Sequence, residues 1–204
     1  MSKRSYNSDL RQMQAQQARD RILSSAKKLF EVKGFEKVTI EEIAQQAEVS
    51  APSIYSLFRS KSGLLREIMD GAFSAEHREA LVEKVKIEKS PAKRLELAAT
   101  ISRRLYDAEK DQVSLFQGAS ILDPDFRKQE MEREERRYQR QEESVKASAQ
   151  EKAFKKGITV TKARDILWAF TGRDLYRVLV LERSWSSDKY EKWLASVLIE
   201  MLLK

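Results

Sequence analysis

Residues 39–61 read TIEEIAQQAEVSAPSIYSLFRSK, and this stretch decides the fold. Thr39 is followed three residues later by Glu42, which is the spacing of a capping box at the start of a helix. Ser50 is a second good N-cap, and Pro52 falls in the first turn of the next helix, where its missing N–H costs no hydrogen bond. The stretch therefore predicts two short helices joined by a tight turn.

Two short helices joined in this way form a helix-turn-helix, whose second helix enters the major groove of DNA. We place this motif at residues 39–58. Its apolar positions predict an internal core, and the opposite face of the second helix is expected to carry small, exposed side chains. The residues expected in the core are Ile40, Ile43, Ala44, Val49, Ile54, Leu57 and Phe58.

Helical periodicity continues on both sides of the motif. A helix is predicted over residues 17–32, with Gly34 as its end, and another begins at Ser60 and continues into the 80s. Further helices are predicted over residues 95–106 and 113–122.

The C-terminal half is also predicted to be helical. Residues 126–156 are densely charged and predict a long, mostly solvated helix. Residues 166–181 are apolar on more than one face and predict a buried helix, and residues 188–204 carry a broad apolar face. Prolines and glycines are few, so the sequence predicts an all-α fold of about nine helices.

The charge of the chain indicates the kind of partner. A net charge of +7 and a pI near 9.5 favour a polyanion, which leaves nucleic acid and acidic membrane surfaces open. No apolar run approaches the roughly 18 residues of a membrane span, and the first ten residues lack the apolar centre of a secretion signal. We therefore expect a cytoplasmic protein without a membrane partner.

The residue inventory argues against catalysis. The sequence has no cysteine and one histidine, His77, so thiolate chemistry and a His-rich metal centre are excluded. It also lacks a Gly-rich phosphate loop and a recognisable nucleophile–base pair. We expect neither an enzyme nor a cofactor. A nucleoid organiser, or a helical adaptor that uses the charged segment 126–156, is the alternative to a specific DNA-binding regulator.

Roughly residues 16–70 resemble the N-terminal domain of the TetR family of transcriptional regulators, and the resemblance is specific. Glu48 departs from the family, which usually has glycine there; a non-Gly residue in a left-handed turn costs on the order of 1 kcal/mol, which is tolerable. The residues that match the family's pattern are Phe30, Gly34, Phe35, Val38, Thr39, Ile43, Ala44, Ala47, Val49, Ser50, Ile54, Tyr55, Phe58, Ser60 and Lys61.

The resemblance implies three segments. Residues 1–15 are a basic arm that we expect to be flexible, residues 16–70 form a helix-turn-helix DNA-binding domain of three helices, and residues 71–204 form a helical ligand-binding and dimerisation domain. The resemblance also implies a homodimeric repressor that binds a palindromic operator in double-stranded DNA. A small-molecule effector of unknown identity is then expected to release it.

DNA contacts are expected around the two short helices. Thr39 and Ser50 lie at helix N-termini, where free N–H groups bind phosphate, and each also caps its helix. Tyr55 and Lys61 are expected to reach phosphates. The recognition helix offers few hydrogen bonds to bases, so specificity rests partly on DNA shape. Its small exposed residues are expected to be Ala51, Pro52, Ser53 and Ser56.

The resemblance also places an effector pocket and a dimer interface in the C-terminal domain. Effector contacts are expected from Tyr106, Phe116, Gln117, Trp168, Arg173 and Asp174, for which ordinary core packing and ion pairing is the alternative interpretation. Residues 174–203 are similar to the last two helices of many members, which form a four-helix interface between subunits. The residues expected in that interface are Leu175, Val178, Leu179, Trp193, Leu194, Val197, Leu198 and Met201.

Overall fold

A computed structural model describes residues 3–72, 75–112, 119 and 123–204; at residues 3–11, 72, 75 and 112 only the backbone is described. The described residues form helices and one isolated antiparallel bridge, between Phe154 and Leu203. The predicted all-α class is confirmed. Within this part of the chain, no helix is long and apolar enough to cross a membrane.

The chain divides into two compact units. The first comprises Met1–Asp70 and Ser114–Gln129, and the second comprises Gly71–Val113 and Glu130–Lys204. The first unit therefore takes up a segment that the sequence assigns to the C-terminal domain. The helix predicted over residues 113–122 lies outside the described residues, apart from Ala119, which is buried in the first unit.

The first helix of the first unit, α1, spans Lys3–Lys33. It begins inside the segment 1–15, which the sequence assigns to a flexible arm, because no glycine or proline interrupts the chain before Gly34. Gly34 has a φ of +82° and ends the helix as predicted. One face of α1 enters the core through Ile22, Ala26 and Phe30.

Three short helices complete the helix-turn-helix region. They are α2 (Ile40–Ala47), α3 (Ala51–Phe58) and α4 (Lys61–Ala72). A Cβ added at Gly63 would lie 2.0 Å from the carbonyl oxygen of Phe58, so the connection from α3 to α4 requires glycine there. Apart from Val49, which is partly buried, and Leu57, the predicted core residues of the motif are buried.

Leu57 corrects the prediction for α3. It is 41% exposed, whereas Ile54 and Phe58, which are four residues apart, face the core. Leu57 lies about 100° from Phe58 around the helix axis, which turns its side chain out of the core. The exposed face of α3 is therefore more apolar than the sequence predicts.

Asp123 joins a further helix to the first unit. Ser62 Oγ donates to Asp123 Oδ2 at 2.5 Å, and the backbone N–H of Phe126 donates to Asp123 Oδ1 at 2.8 Å. The helix that follows, α7, spans Pro124–Arg140. Its Phe126 is fully buried, with its ring 6.5 Å from that of Phe35. These contacts explain why Ser114–Gln129 belongs to the unit that holds the helix-turn-helix.

The second unit contains α7 from Glu130 onward and the remaining helices. These are α5 (Ala75–Ile87), α6 (Pro91–Glu109) with a 3₁₀ turn at Lys110–Gln112, α8 (Glu142–Gln150), α9 (Val160–Phe170), α10 (Arg173–Tyr176) with a π-helical continuation at Arg177–Glu182, and α11 (Ser187–Leu202). Their buried residues are Leu95, Ala99, Tyr106, Val145, Ala163, Leu167, Tyr176, Tyr190, Leu194, Leu198 and Leu202.

The single solvated helix predicted over residues 126–156 is wrong. Helix α7 ends at Arg140, and α8 ends at Gln150. At the break, the side-chain amide of Gln141 donates to Thr171 Oγ1 at 3.0 Å. Val145 in α8 is buried in the core of the second unit, so this stretch packs against the core as well as facing solvent.

The continuous buried helix predicted over residues 166–181 is also wrong. Thr171 Oγ1 donates to the Leu167 carbonyl at 2.6 Å, and Gly172 then takes up an extended conformation with a ψ of 161°. The chain restarts in α10. Val178 and Leu181 are 36% and 39% exposed, so this stretch leaves apolar surface uncovered in a single copy.

Candidate DNA-binding surface and ligand cavity

The capping box at the start of α2 is confirmed. The backbone N–H of Glu42 donates to Thr39 Oγ1 at 3.2 Å, and the backbone N–H of Thr39 donates to Glu42 Oε2 at 3.0 Å. A hydrogen bond from Lys33, together with the one from Thr39, lowers the pKa of the Glu42 carboxyl. Thr39 is exposed, and its hydroxyl accepts from Glu42, so its own hydrogen is free to be donated to a phosphate.

The turn between α2 and α3 has the left-handed residue that the sequence predicts. Glu48 has φ 55° and ψ 47°, and its N–H donates to the carbonyl of Gln45 at 3.3 Å. The N–H of Val49 donates to the Ala44 carbonyl at 3.0 Å. These bonds satisfy the last carbonyls of α2 and direct the chain into α3.

Ser50 caps α3 as predicted. Its Oγ accepts from the backbone N–H of Ser53 at 3.3 Å and lies 2.7 Å from Ser53 Oγ. One hydrogen of the two hydroxyls is shared between them, and the other is left to donate outward. Ser50, Pro52, Ser53 and Ser56 are exposed, whereas Ala51 is half-buried.

Two further side chains of this surface were not predicted as DNA contacts. Leu57 is 41% exposed on α3, and Arg59 is exposed directly after the end of that helix. Helical periodicity predicts Leu57 in the core, and for this reason the sequence does not indicate it as a DNA contact. The positive charge of Arg59, one residue beyond the recognition helix, was a signal that sequence reasoning could have used.

The ammonium group of Lys61 bonds backbone carbonyls of its own unit. Its Nζ donates to the carbonyls of Val38 at 2.9 Å and Glu36 at 3.2 Å, and it lies 4.5 Å from the centre of the Phe35 ring. Burial lowers the pKa of the Lys61 ammonium. An ammonium has three N–H groups, so one is left for the predicted phosphate contact.

A cavity of about 100 Å³ lies within the second unit. Its apolar wall is formed by Val82, Val85, Ala98, Ile101, Leu105 and Leu167. Its charged and amide-bearing residues are Arg78, Lys86, Arg137, Arg140, Gln141 and Glu143. An apolar wall with a few convergent polar groups is the usual composition of a small-molecule site.

The predicted effector residues that the structure describes do not line this cavity. Tyr106 is buried, and its hydroxyl donates to the Thr171 carbonyl at 3.3 Å; burial raises its pKa. The ring of Trp168 packs edge-on against that of Tyr138, with 6.2 Å between their centres. Asp174 is exposed. Phe116 and Gln117 lie outside the described residues.

Arg173, the remaining predicted effector residue, belongs to a buried ion network. Its guanidinium bonds Glu130 at 2.6 Å and Glu109 at 3.1 Å, and Glu109 also pairs with Arg133. Burial alone would lower the pKa of Arg173, but the two carboxylates raise it above its ordinary value. Ordinary packing and ion pairing, the alternative interpretation, therefore describes Tyr106 and Arg173.

The predicted dimer residues fall into two groups. Leu194 and Leu198 are fully buried in a single copy, because residues at four-residue intervals along α11 face the core of the second unit; they have no surface to offer a partner. Val178 and Met201 keep exposed fractions of 36% and 38%. The partly buried members of the predicted set are Leu175, Leu179, Trp193 and Val197.

Comparison with known proteins finds relatives of the helix-turn-helix region. Residues 22–68 match the model of bacterial regulatory proteins of the tetR family. The chain is 36% identical over 53 residues to the HTH-type transcriptional repressor BdcR of Escherichia coli K12. That match covers 26% of this chain and 27% of the repressor, so the chain spans about a quarter of that relative's length.

Solved structures extend the likeness to both units. A transcriptional regulator from Aquifex aeolicus VF5 is 26% identical, with a TM-score of 0.64 over 89% of this chain and 97% of the other. NalD, the secondary repressor of the MexAB-OprM multidrug efflux pump in Pseudomonas aeruginosa, is 20% identical, with a TM-score of 0.73 over 93% of this chain and 98% of its own. The likeness to NalD, at 20% identity, shows a shared fold.

Proposed function

We propose that this chain is a transcriptional regulator of the tetR family, and that it represses its target by binding a palindromic operator as a homodimer and leaves the operator when a small molecule binds its second unit. The observation that carries the proposal is the exposed face of α3, presented by a capped and tightly packed helix-turn-helix. A rigid presentation of this kind is what entry into the major groove requires.

The face of α3 favours apolar and shape-dependent recognition. Pro52, Ser53 and Ser56 are small enough to allow a close approach to base edges, and Leu57 adds an apolar side chain suited to thymine methyl groups. Few hydrogen-bond donors are left on this face, because the hydroxyls of Ser50 and Ser53 bond each other. Sequence-dependent DNA shape supplies the rest of the specificity.

Phosphate contacts then fix the position of the helix on the duplex. Thr39 and Ser50 each stand at a helix N-terminus with a hydroxyl that can donate, and Tyr55 is 49% exposed on α3. Lys61 and Arg59 add positive charge at the other end of α3. These contacts carry affinity without sequence information.

Dimerisation is supported by apolar surface that a single copy leaves uncovered. Val178, Leu181 and Met201 are each more than a third exposed, in or after the helices that the resemblance assigns to the interface. A symmetric pair reads two half-sites about 34–36 Å apart, so a small change in the separation of its recognition helices weakens binding. The cavity of the second unit is the proposed binding site of the effector.

Placing a negative charge on α3 tests the DNA-binding surface. We expect Ser56→Asp to weaken binding of a fluorescein-labelled mixed-sequence duplex at low salt by at least tenfold, because it places a negative charge on the helix face that approaches the polyanionic duplex. Ala80→Asp is the matched control, since Ala80 is exposed on α5 in the other unit. Equal loss in both variants, measured by fluorescence anisotropy, would contradict the proposed surface.

A further inference from the structure

The charged end of the cavity indicates which chemical class of ligand it takes. Arg78 from α5 and Arg137 and Arg140 from α7 line the cavity, and Lys86 joins them from α5. Glu143 is the carboxylate among the lining residues that the structure describes. Cationic groups therefore outnumber carboxylates around the cavity.

Arg137 and Lys86 have carboxylate partners. Arg137 donates to Glu134 Oε2 at 2.5 Å, and its other amino group donates to the Trp168 carbonyl at 2.9 Å. Lys86 lies 3.7 Å from Glu83 and 3.9 Å from Glu143. These two positive charges are therefore largely balanced within the protein.

Arg140 differs from them. No carboxylate in the described part of the chain lies within 4.0 Å of its guanidinium, which stands at the solvent-exposed edge of the cavity. Packing around Arg140, and then the nearby positive charges of Arg78, Arg136, Arg133 and Arg137, lower its pKa. A cation held among other cations is stabilised by an anion placed in the adjoining space.

The rest of the cavity is apolar. Val82, Val85, Ile101, Leu105 and Leu167 form most of its wall, and a cavity of about 100 Å³ has room for a ligand body of roughly eight non-hydrogen atoms. A fully ionic ligand would leave this wall uncovered, and a wholly apolar one would make no use of the positive charge that Arg140 presents at the edge of the cavity. The two requirements are met together by an amphipathic anion.

We propose that the effector of the second unit is a small, mostly apolar carboxylic acid, bound as its anion with the carboxylate against Arg140 and the hydrocarbon part along Ile101 and Leu167. The inference rests on the proposed function in one respect, namely that the second unit binds a small molecule. It adds the charge of the ligand and the residue that recognises it.

Three probes of equal chain length separate charge from hydrophobicity. Octanoate, 1-octanol and octylamine are titrated into the full-length chain by isothermal titration calorimetry at pH 7, where the first is an anion and the last a cation. We expect octanoate to bind about threefold more tightly than either of the others, because an ion pair at an exposed edge adds less than about 1 kcal/mol.

Arg140→Gln should weaken octanoate about threefold and leave 1-octanol unchanged. Arg104→Gln is the control, since Arg104 is exposed on α6 and lies outside the cavity lining; it should leave octanoate binding as in the parent chain. Circular dichroism confirms that each variant is folded. Equal losses of octanoate binding in the two variants would overturn the inference.

The same titrations separate this inference from the proposed function. Tighter binding of 1-octanol or octylamine than of octanoate, or no octanoate binding at millimolar concentration, overturns the carboxylate assignment. A different molecule that then binds and releases DNA would leave the repressor proposal intact. Octanoate that binds through Arg140 without changing DNA affinity would support the assignment and contradict effector release.

Discussion

The buried carboxylate of Glu109 is expected to be a main electrostatic support of the second unit. Glu109 is fully buried, Arg133 pairs with its Oε1, and an amino group of Arg173 lies 3.1 Å from its Oε2. We predict that Glu109→Gln, which keeps the size of the side chain and removes its charge, destabilises this unit. The two arginines would stay buried with Glu130 as their remaining carboxylate.

The magnitude follows from this geometry. Removing one partner of a buried ion pair costs about 3–5 kcal/mol. Glu130, which is 2.6 Å from Arg173 and 3.7 Å from Arg133, compensates for part of the loss, so we expect about 2–3 kcal/mol. For a chain of this size, that loss lowers Tm by roughly 4–12 °C.

Tryptophan fluorescence reports on the second unit directly. The three tryptophans of the chain, Trp168, Trp185 and Trp193, all lie in that unit, so urea unfolding followed by their emission measures its stability. Glu83→Gln is the control, because Glu83 pairs with Lys86 at the surface of the same unit, where such a pair contributes less than about 1 kcal/mol. A loss for Glu109→Gln no larger than that of the control would refute the reasoning.

Three further predictions concern other parts of the molecule. Thr39→Ala removes the cap of α2 and should reduce the free energy of unfolding of the first unit by about 1 kcal/mol, measured by circular dichroism; an unchanged value would contradict the role of the capping box. Burial raises the pKa of Tyr190 to about 12 from an ordinary 10.0, so the folded state holds its proton longer than the unfolded state does. The stability of the second unit should therefore fall as pH rises from 10 to 12, and Tyr190→Phe should flatten that slope; parallel slopes would count against it. Val178→Asp should convert the proposed homodimer to a monomer in sedimentation analysis, whereas the exposed substitution Ala80→Asp should not; a Val178→Asp variant that still sediments as a dimer would contradict this interface.

Local chemistry explains which elements could be predicted from the sequence. The capping box of Thr39 and Glu42, the cap at Ser50 and the left-handed Glu48 depend on contacts within a few residues, and all are present. Thr159 caps α9 in the same way, because its Oγ1 accepts a 3.1 Å hydrogen bond from the backbone N–H of Lys162. Such short-range signals need no knowledge of the fold.

The breaks in the C-terminal helices could not be predicted in this way. Gln141 and Thr171 are thirty residues apart, and each break is held by a bond to the other segment. A scan of one segment at a time meets only good helix formers around Gln141. Leu57 shows the same limit within one helix. The apolar pattern of eight residues does not determine the rotation of α3 about its axis, so it cannot tell which of its apolar residues face the core.

The cavity escaped prediction because its charged residues look like solvated surface. Arg78 and Arg140 lie in densely charged stretches of α5 and α7, where a basic residue is usually exposed. Only the fold brings them together with Ile101 and Leu167. The aromatic residue Tyr106, which looked like a ligand contact, serves as core.

Selection of bound duplexes from a random DNA pool, at a stated salt concentration, tests the central claim most directly. A dimeric repressor predicts an enriched palindrome whose half-sites are separated by about one turn of the duplex, roughly 34–36 Å. Binding that falls steeply with salt but enriches no sequence would contradict the account and favour an architectural DNA-binding protein.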